Sequence, residues 1–556
     1  MTSKEVLVKS LMSMDGKSYQ KFKDLPQSCE LDDVTLYVDR VQNDPASSSS
    51  MRLRISMKKA LFPKDTYDTD TKRTALGDLI ARRFWESCRM YAKGNSDGNV
   101  GGMISIPRPG QEILERSSVV LSDTFIEVRF KASLPATGKN AAGRSALKML
   151  TEDLPEIASS SLLYSSYKSS KLYNHINTAV TAQSIRNSLK ERGLVAFIAD
   201  DSVLPRRDDG LAPMIDAVPF TSPEQLLVSF PTADGGTVSG MGIPEGLTAV
   251  IGATGCGKTT LIEAIASGVY DHIPGDGRES VITRDDAAVI TSDTGRSFRN
   301  VDVSMFVADT KNNSHSLSSD NADNAVSSAV SAAEMLEMGS RLLIMDDGSV
   351  SHGLLYRDET ICGLIPQDDE TIFPISDVIH DSNIKDLSAV IACRHGNVVK
   401  NADTVIIMSK HSALFGGSSR FVINADPPAD VPADRLPIAR NMNTAKGRKD
   451  VHAAALSASR IEIGETIVRV PRPVKDLGEM SSMADAVIDA KDMMDGTATL
   501  KEVAERLESV YLKKVCSAEE NIGPDKTAFR KYDLAAVVNR HPDIVFAQRP
   551  RTADKQ

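Results

Sequence analysis

The spacing of apolar residues indicates two kinds of architecture along the chain. Up to about residue 185, apolar and polar residues alternate in runs that predict strands with one buried face. These runs are VTLYVDRVQ at 34–42, MRLRISM at 51–57 and DTFIEVRFKASL at 123–134. Residues 74–92 instead carry apolar side chains at helical spacing. We therefore expect an α+β segment at the start of the chain.

Two stretches in this first part have a different composition. KGNSDGNVGG at 93–102 is rich in glycine and polar residues and predicts a loop. SSSLLYSSYKSSK at 159–171 is serine-rich, as linkers are, but its leucines and tyrosines favour a helix. The first segment is expected to end near this point.

Beyond residue 185, short and nearly continuous apolar runs alternate with helical patterns. Continuous apolar runs are typical of strands buried on both faces, and alternation with helices predicts a parallel sheet in an α/β domain. The turn TADGG between QLLVSF and GTVSGM also predicts a hairpin. The predicted buried strands are LVAFIAD at 194–200, LTAVIG at 247–252, RLLIMDD at 341–347, LSAVIACRH at 387–395 and DTVIIM at 403–408.

The last part of the chain begins with a change in composition. After about residue 425 a proline-rich, polar stretch precedes the basic loop AKGRKD at 445–450. ADAVIDAKDMM and LKEVAERLESVYLKKV then show amphipathic helical spacing. We therefore expect a mainly helical C-terminal part.

The glycine-rich stretch IGATGCGKTT at 251–260 matches the full phosphate-loop pattern, and its context of a buried strand before and a helix after is also present. Glycines are needed because backbone N–H groups must point at phosphate oxygens, which side chains would block. Lys258 would supply charge to the β- and γ-phosphates, and Thr259 would complete magnesium coordination. The predicted nucleotide contacts are Gly252, Ala253, Thr254, Gly255, Cys256, Gly257, Lys258, Thr259 and Thr260.

Magnesium also needs an acidic residue at the end of a neighbouring buried strand. RLLIMDD fits this requirement, so we assign Asp346 to the metal and Asp347 to polarising the attacking water. His395, at the end of the next strand, would sense the γ-phosphate. Arg278, in the turn GDGRE, would reach the nucleotide or an opposite subunit, although a structural turn held by Asp276 explains the same residues.

Composition narrows the classes of function. The net charge of −10 and the pI of about 5.5 exclude a globally basic nucleic-acid-binding protein, so contact with phosphate backbones would need a local patch. No apolar run reaches transmembrane length, and we expect no membrane partner. Six cysteines, at positions 29, 88, 256, 362, 393 and 516, lack metal-ligand spacing and indicate reduced thiols, in the cytoplasm or the mitochondrial matrix.

Longer segments extend the pattern beyond the phosphate loop. The longest is GMGIPEGLTAVIGATGCGKTTLIEAIASGVYDHIPGDGRE at 240–279. Others are GKSYQKFKDL at 16–25, VDRVQNDPASSSSMRLRI at 38–55, IPRPGQEILERSSVV at 106–120, LKERGLVAFIADDSVLPRR at 189–207, VDVSMFV at 301–307 and KYDLAAVVNR at 531–540. These segments, which span almost the whole chain, resemble the predicted ATPases of the ABC class, a family that includes a kinetoplastid mitochondrial RNA-editing complex factor.

This resemblance implies an ABC-type P-loop ATPase core within the α/β class. It implies an N-terminal α+β domain at 1–165, the ATPase domain at 166–440 and a helical C-terminal domain at 441–556. It further implies ATP and Mg²⁺ as cofactors and a homodimer that binds ATP between its two copies. From the editing factor it implies an opening that accepts single-stranded RNA within a ribonucleoprotein complex.

The chain departs from the family at two places. The family usually carries Asp-Glu where this chain has Asp346-Asp347, and the loss of one methylene moves the carboxylate by about an ångström, enough to cost roughly a hundredfold in rate. The family's signature Ser-Gly corresponds to Asp323-Asn324 here, although Ser318 or Ser319 would be able to replace the serine. We therefore expect ATP binding with slow or impaired hydrolysis, and a competent ATPase is the alternative.

Three basic loops are candidates for RNA contact. Glycine and proline beside them predict exposed, well-defined loops, in which arginine contacts phosphates and stacks on bases. Local salt bridges on an acidic surface explain the same residues. The candidates are Arg108, Arg206, Arg207, Lys446, Arg448 and Lys449.

Two hypotheses follow for the function. In the first, the protein is a nucleotide-dependent RNA-binding ATPase in RNA processing. In the second, it is a degenerate ATPase that serves as a structural assembly subunit without RNA contact. The soluble motor of a membrane transporter is a third option, against which the additional segments at both ends of the chain count.

Overall fold

The computed structural model describes residues 2–92, 94, 101–207, 210–307, 314–356, 364, 372–381, 384, 386–417, 431–446, 450–470, 476–519 and 522–549. The chain forms two compact units. The first contains Met1–Ala179, Asp476–Ser482 and Val510–Ala528, and the second contains Val180–Lys475, Met483–Ser509 and Phe529–Gln556. Segments of the C-terminal stretch thus occur in both units.

The elements of the first unit follow the alternating part of the sequence. Its strands are β1 (Ser28–Leu31), β2 (Val34–Arg40), β3 (Ser49–Ser56), β4 (Met103–Ser105), β5 (Glu112–Ile113), β6 (Val119–Leu121), β7 (Phe125–Ser133), β8 (Ala136–Thr137) and β9 (Asn140–Ala141). Its helices are α1 (Lys4–Met14), α2 (Met57–Ala60), α3 (Asp70–Tyr91), α4 (Gly143–Lys148), α5 (Leu154–Leu162) and the first part of α6 (Ser169–Leu189).

An antiparallel sheet in the order β1-β2-β3-β7-β4, with β6 also paired to β7, forms the centre of this unit. In β3 every second residue is buried, as the alternating pattern predicts. Helix α3 covers the sheet, and its Phe84 packs on Phe130 of β7 with ring centroids 6.0 Å apart. The three predicted strands and the predicted helix at 74–92 are therefore confirmed.

The serine-rich stretch 159–171 contains a junction between two helices. Helix α5 ends at Leu162, α6 begins at Ser169, and the Tyr167 hydroxyl donates a 2.5 Å hydrogen bond to the Ser161 carbonyl between them. The helix prediction is confirmed at both ends of the stretch, and its middle forms a short 3-10 helix, Tyr164–Ser166, in place of a continuous α-helix. Most of the predicted loop at 93–102 lies outside the described residues.

The second unit holds the continuous apolar runs. Its strands are β10 (Leu194–Ala199), β11 (Leu227–Pro231), β12 (Thr237–Pro244), β13 (Leu247–Gly252), β14 (Asp271–His272), β15 (Val281–Thr283), β16 (Ala287–Val289), β17 (Phe298–Val301), β18 (Leu317–Ser319), β19 (Leu342–Asp346), β20 (Ser388–Ala392), β21 (Thr404–Ser409), β22 (Ser412–Gly417), β23 (Arg435–Ile438), β24 (Ala445–Lys446), β25 (Asp450–Val451), β26 (Ala453–Ser457), β27 (Arg460–Ile463), β28 (Thr466–Arg469) and β29 (Val545–Gln548). Its helices are α7 (Lys258–Ser267), α8 (Asn324–Glu337), α9 (His352–Leu355), α10 (Ile375–Asp381), α11 (Gly396–Asn401), α14 (Lys531–Arg540) and parts of α12 (Leu477–Ala490) and α13 (Leu500–Cys516).

The predicted parallel sheet is present, in the order β16-β19-β20-β13-β21-β22. Strand β13 lies between β20 and β21 and is parallel to both, while β22 returns antiparallel to β21. Because parallel strands end at the same edge, this sheet brings the ends of β13, β19 and β20 together. That edge carries the predicted nucleotide residues.

The run at 194–200 is a strand, but its predicted membership of the parallel sheet is wrong. Strand β10 pairs antiparallel with β12 and β15 in a separate four-stranded sheet, in which β11 and β12 form the predicted hairpin. Phe197 of β10 packs in a cluster with Ile185 of α6, and Ile198 packs in the other cluster with α7. A continuous apolar run therefore reports burial of both faces and says nothing about strand direction.

The C-terminal helices occur where amphipathic spacing predicts them, in α12 and α13. The same stretch begins with the short strands β24 to β28, of which the last three form an antiparallel sheet. Among the residues that the structure describes, no helix has the length and apolar character needed to cross a membrane. Cys29, Cys88, Cys256, Cys393 and Cys516 are free thiols.

Candidate functional site

The glycine stretch at 251–260 connects the end of β13 to the start of α7. Gly252, Gly255 and Gly257 have φ angles of +149°, +75° and +101°, which side chains disfavour. A Cβ at Gly252 would also collide with the Met408 carbonyl of the neighbouring strand. The loop therefore needs its glycines for conformation and for close approach, in the strand-loop-helix arrangement of a phosphate-binding loop.

Lys258, the first residue of α7, holds its charge inside this loop. Its side chain is buried, and its ammonium donates hydrogen bonds to the carbonyls of Gly252 (2.8 Å) and Ala253 (2.9 Å). The carbonyl groups that hold this ammonium carry no formal charge, so a cation at this position favours binding of an anion at the loop.

Two adjacent carboxylates at the end of β19 have different surroundings. Asp346 is buried; its Oδ1 accepts a 2.8 Å hydrogen bond from the Gly348 N–H, and its Oδ2 is buried without a hydrogen-bond partner. In Asp347, Oδ2 accepts a 3.1 Å hydrogen bond from the backbone N–H of Arg394. Asp346 thus keeps one oxygen available for a ligand, whereas Asp347 is tied to the neighbouring strand end.

Arg394, which the sequence analysis missed, links the phosphate loop to the carboxylates at the end of β19. Its Nη1 donates a 3.2 Å hydrogen bond to the Thr254 hydroxyl of the loop, and its Nε lies 3.9 Å from Oδ2 of Asp347. Its neighbour His395 instead stacks on Tyr356, with ring centroids 4.5 Å apart. The only signal in the sequence was the position of Arg394 two residues after the end of the buried strand β20.

These residues line one cavity of about 480 Å³. One part of its wall consists of the loop residues Thr254, Gly255, Gly257, Lys258, Thr259 and Thr260 with Asp346, Asp347, Gly348 and Arg394. The other part consists of Leu204, Pro205, Met214, Asp216, Ala217, Val218, Phe220, Met408 and His411. His395 and Arg278 are not among the described residues that line this cavity.

The assignment of Arg278 to the nucleotide is wrong, and the structural explanation of its turn is supported. The Arg278 side chain is buried and donates hydrogen bonds to the Leu204 carbonyl and, at 3.1 Å, to the Ser267 hydroxyl. Asp276 is also buried, because the turn folds inward between the segments that contain Leu204 and Ser267. A guanidinium satisfied in this way does not extend to a phosphate.

Arg206 is likewise engaged within the fold and does not have the exposed position predicted for RNA contact. Its guanidinium donates to the carboxylate (2.6 Å) and to the backbone carbonyl (2.7 Å) of Asp276, which also lies 2.8 Å from His272 Nδ1. Burial opposes ionisation of Asp276, but the hydrogen bond from His272 and the charge of Arg206 outweigh it and lower the pKa of the carboxyl.

The other RNA candidates divide into two groups. Arg207 and Arg108 are exposed; Arg207 donates to the Pro213 carbonyl at 3.1 Å, and the Arg108 guanidinium lies 5.5 Å from the ring centre of Trp85. Lys446 lies in β24, but its side chain, with Arg448 and Lys449, falls outside the described part of the chain.

Comparison with known families matches most of the chain. Residues 168–420 match the P-loop domain of an ABC-class ATPase family, and residues 4–165 match the model described as "ATPase of the ABC class N-terminal". The chain is also similar to an uncharacterized protein of Methanocaldococcus jannaschii, 36% identical over 121 residues. That similarity covers 20% of this chain and only 27% of the archaeal protein.

Proposed function

Because the chain belongs to the ATPases of the ABC class, we propose that it binds ATP with Mg²⁺ at the phosphate loop and hydrolyses it slowly. The observation that carries this proposal is the cavity in which the loop, the buried Lys258 and the two carboxylates of β19 meet. Backbone N–H groups in a positive-φ loop and an adjacent ammonium are the groups that bind a triphosphate.

The residues present fit a magnesium ion. Asp346 offers a buried carboxylate oxygen without a hydrogen-bond partner, and Thr259 offers a hydroxyl in the same cavity. Hard oxygen ligands are those that Mg²⁺ prefers, and the ion usually completes its shell with phosphate oxygens and water. When bound, it neutralises charge on the phosphates. Asp346 and Thr259 would therefore hold the ion and fix the position of the γ-phosphate.

Slow hydrolysis follows from the position of Asp347. Its carboxylate already accepts a hydrogen bond from Arg394 N–H, and the guanidinium of Arg394 lies 3.9 Å away. An aspartate is also one methylene shorter than glutamate, which removes about an ångström of reach toward an attacking water. Asp347 is therefore poorly placed to orient that water, and the nucleotide is retained for longer.

A homodimer with ATP between its copies is the assembly that we propose for an ABC-class domain. In this arrangement each copy presents the start of α8 to the nucleotide on the other copy. Here Asp323 caps α8, accepting a 2.8 Å hydrogen bond from Val326 N–H. A carboxylate at this position repels a triphosphate and occupies an amide that would otherwise bind it, which also favours slow turnover.

We further propose that the protein binds single-stranded RNA as part of a ribonucleoprotein complex, in a nucleotide-dependent manner. Exposed arginines supply the contacts: Arg207 beside the cavity wall and Arg108, stacked near Trp85. Arginine and aromatic side chains together suit stacked bases and phosphates.

One observation favours a second candidate function, that of a structural assembly subunit without RNA contact. Arg206, half of the Arg206-Arg207 pair, is neutralised by Asp276 inside the fold. The local positive charge is therefore smaller than the sequence suggests. In this case ATP would serve only to join the two copies.

ATP turnover and RNA binding by the purified protein separate these functions. We expect ATP binding with slow turnover and, for the first function, RNA affinity that rises with ATP and falls with salt. Rapid turnover would contradict impaired hydrolysis. RNA affinity that does not change with ATP or salt would contradict the first function and favour the second, that of a structural assembly subunit.

A further inference from the structure

Building on the proposed ATP binding, we propose that the apolar wall of the cavity, formed by Leu204, Pro205, Met214, Ala217, Val218 and Phe220 with Met408 and His411, is its nucleobase subsite. This subsite would hold a purine by apolar and thioether contact, and the phosphate loop would hold the triphosphate. Neither the phosphate-loop pattern nor the family match assigns a residue to the base.

The cavity has chemically distinct halves. Its loop half offers amides, hydroxyls, an ammonium and a guanidinium, which suit phosphates. Its other half is lined mainly by aliphatic and thioether side chains, among them Met214 and Val218. A nucleoside triphosphate has the same division, with a charged end and a flat, largely apolar base.

Met408 and His411 lie directly beside the loop. A Cβ placed on Gly257 would lie 3.4 Å from Nδ1 of His411 and 3.5 Å from the terminal methyl of Met408. Strand β21, which contains Met408, pairs with β13 up to Gly252. The turn after β21 therefore lies against the phosphate loop, where the two parts of the cavity wall meet.

Leu204 and Phe220, the first and last of the wall residues that precede the phosphate loop, are both held in place by hydrogen bonds. Buried Arg278 donates to the Leu204 carbonyl, and the N–H of buried Phe220 donates to the Ser202 carbonyl at 2.8 Å. Between them, Met214 N–H donates to the Pro205 carbonyl at 3.0 Å. Arg278 thus positions this wall of the cavity and does not bind the ligand itself.

Met214 and Val218 are unusually exposed for side chains that line a cavity. They are 47% and 51% exposed, so that much apolar surface is available for a base to cover. Covering it is favourable in proportion to its area and does not depend on direction. Purines, which are larger, should therefore bind more tightly than pyrimidines, with little difference between ATP and GTP.

A comparison of ATP with inorganic tripolyphosphate, each with Mg²⁺, distinguishes binding through the base from binding through the phosphates. We would measure binding of ATP and of tripolyphosphate to the native chain, to a Met214→Ser/Val218→Ser double variant and to Ile215→Ser. Ile215 is the matched control, because it is 77% exposed and does not line the cavity. Thermal unfolding would verify that all three proteins are folded.

We expect the double variant to lose about tenfold in ATP affinity and to bind tripolyphosphate like the native chain. Ile215→Ser should match the native chain for both ligands. Native ATP affinity in the double variant, or an equal loss for both ligands, would overturn the subsite and leave ATP binding by the loop intact. If the native chain bound neither ligand, the proposed function would fail and the subsite with it.

Discussion

The phosphate loop and the turn GDGRE look alike in sequence but differ in what their basic residues do. Both contain glycines with positive φ, such as Gly257 at +101° and Gly277 at +80°, and both are followed by a cation. Lys258 lines the cavity at the phosphate loop, whereas Arg278 donates its hydrogen bonds to the Leu204 carbonyl and the Ser267 hydroxyl and does not line that cavity. Glycines therefore specify the backbone, and the long-range fold decides whether the cation is available to a ligand.

The largest effect on stability is expected from replacing Asp276, whose carboxylate holds the turn GDGRE in place. Asp276→Ala leaves Arg206 and His272 buried beside no carboxylate, which should cost about 3–5 kcal/mol in the free energy of unfolding. Denaturant unfolding measures this change, and Glu191→Ala, at an exposed position, should alter stability by less than about 0.5 kcal/mol. Equal stability of both variants would show that the contacts of Asp276 with Arg206 and His272 do not hold the turn.

The contacts of Asp276 also predict that the free energy of unfolding depends on pH. Burial opposes ionisation of Asp276, but His272 and Arg206 prevail, so the pKa of its carboxyl in the folded state lies below the ordinary 3.8. Its contribution to stability is present above about pH 4 and is lost as pH falls through the folded pKa. The difference in unfolding free energy between the native chain and Asp276→Asn should therefore shrink below about pH 4. A constant difference would contradict this linkage.

Lys258→Ala tests the role of the cation in the phosphate loop, the other region of the comparison. Removal of the ammonium should lower ATP affinity roughly 100-fold, because charge-assisted hydrogen bonds to the phosphates are lost. Equilibrium binding with a fluorescent ATP analogue measures the effect. Lys190, whose side chain is 68% exposed, provides a control whose replacement by alanine should leave affinity unchanged. Similar losses in both variants would point to a general charge effect.

Asp347→Glu should increase ATP turnover. The longer side chain restores about an ångström of reach toward the attacking water, worth about tenfold to a hundredfold in rate. Steady-state phosphate release is the measurement, with Asp347→Asn as a control that should not gain activity. If the glutamate variant turns over no faster than the native chain, Asp347 does not limit hydrolysis.

The smallest effect is expected at Arg207, which is exposed next to the engaged Arg206. Arg207→Ala should weaken single-stranded RNA binding by about threefold and reduce the slope of log affinity against log salt by about one. Arg207→Lys should retain most of the slope because it keeps the charge. An unchanged slope in the alanine variant would remove this residue from the RNA proposal.

Features determined by local backbone and periodicity could be predicted from the sequence. The strands β2, β3 and β7, the parallel sheet and the loop after β13 follow from apolar spacing and glycine positions. Strand direction at β10 could not be predicted, because two-sided burial produces the same run in either kind of sheet.

Side-chain partners were the least predictable part of the site. Arg206 meets Asp276 and Arg278 meets Leu204 only after folding brings together segments about 70 residues apart. Arg394 lines the cavity and its neighbour His395 does not, because His395 stacks on Tyr356. The apolar wall that includes Leu204, Met214 and Phe220 has no sequence motif, since contact with a base requires only exposed apolar surface.

Titration calorimetry of MgATP into the native chain tests the central claim most directly. The account predicts saturable binding of one ATP per chain, with an affinity that falls roughly 100-fold in Lys258→Ala, although this variant should have the same unfolding temperature as the native chain without ATP. Absence of saturable binding at millimolar ATP by a folded native chain would contradict it.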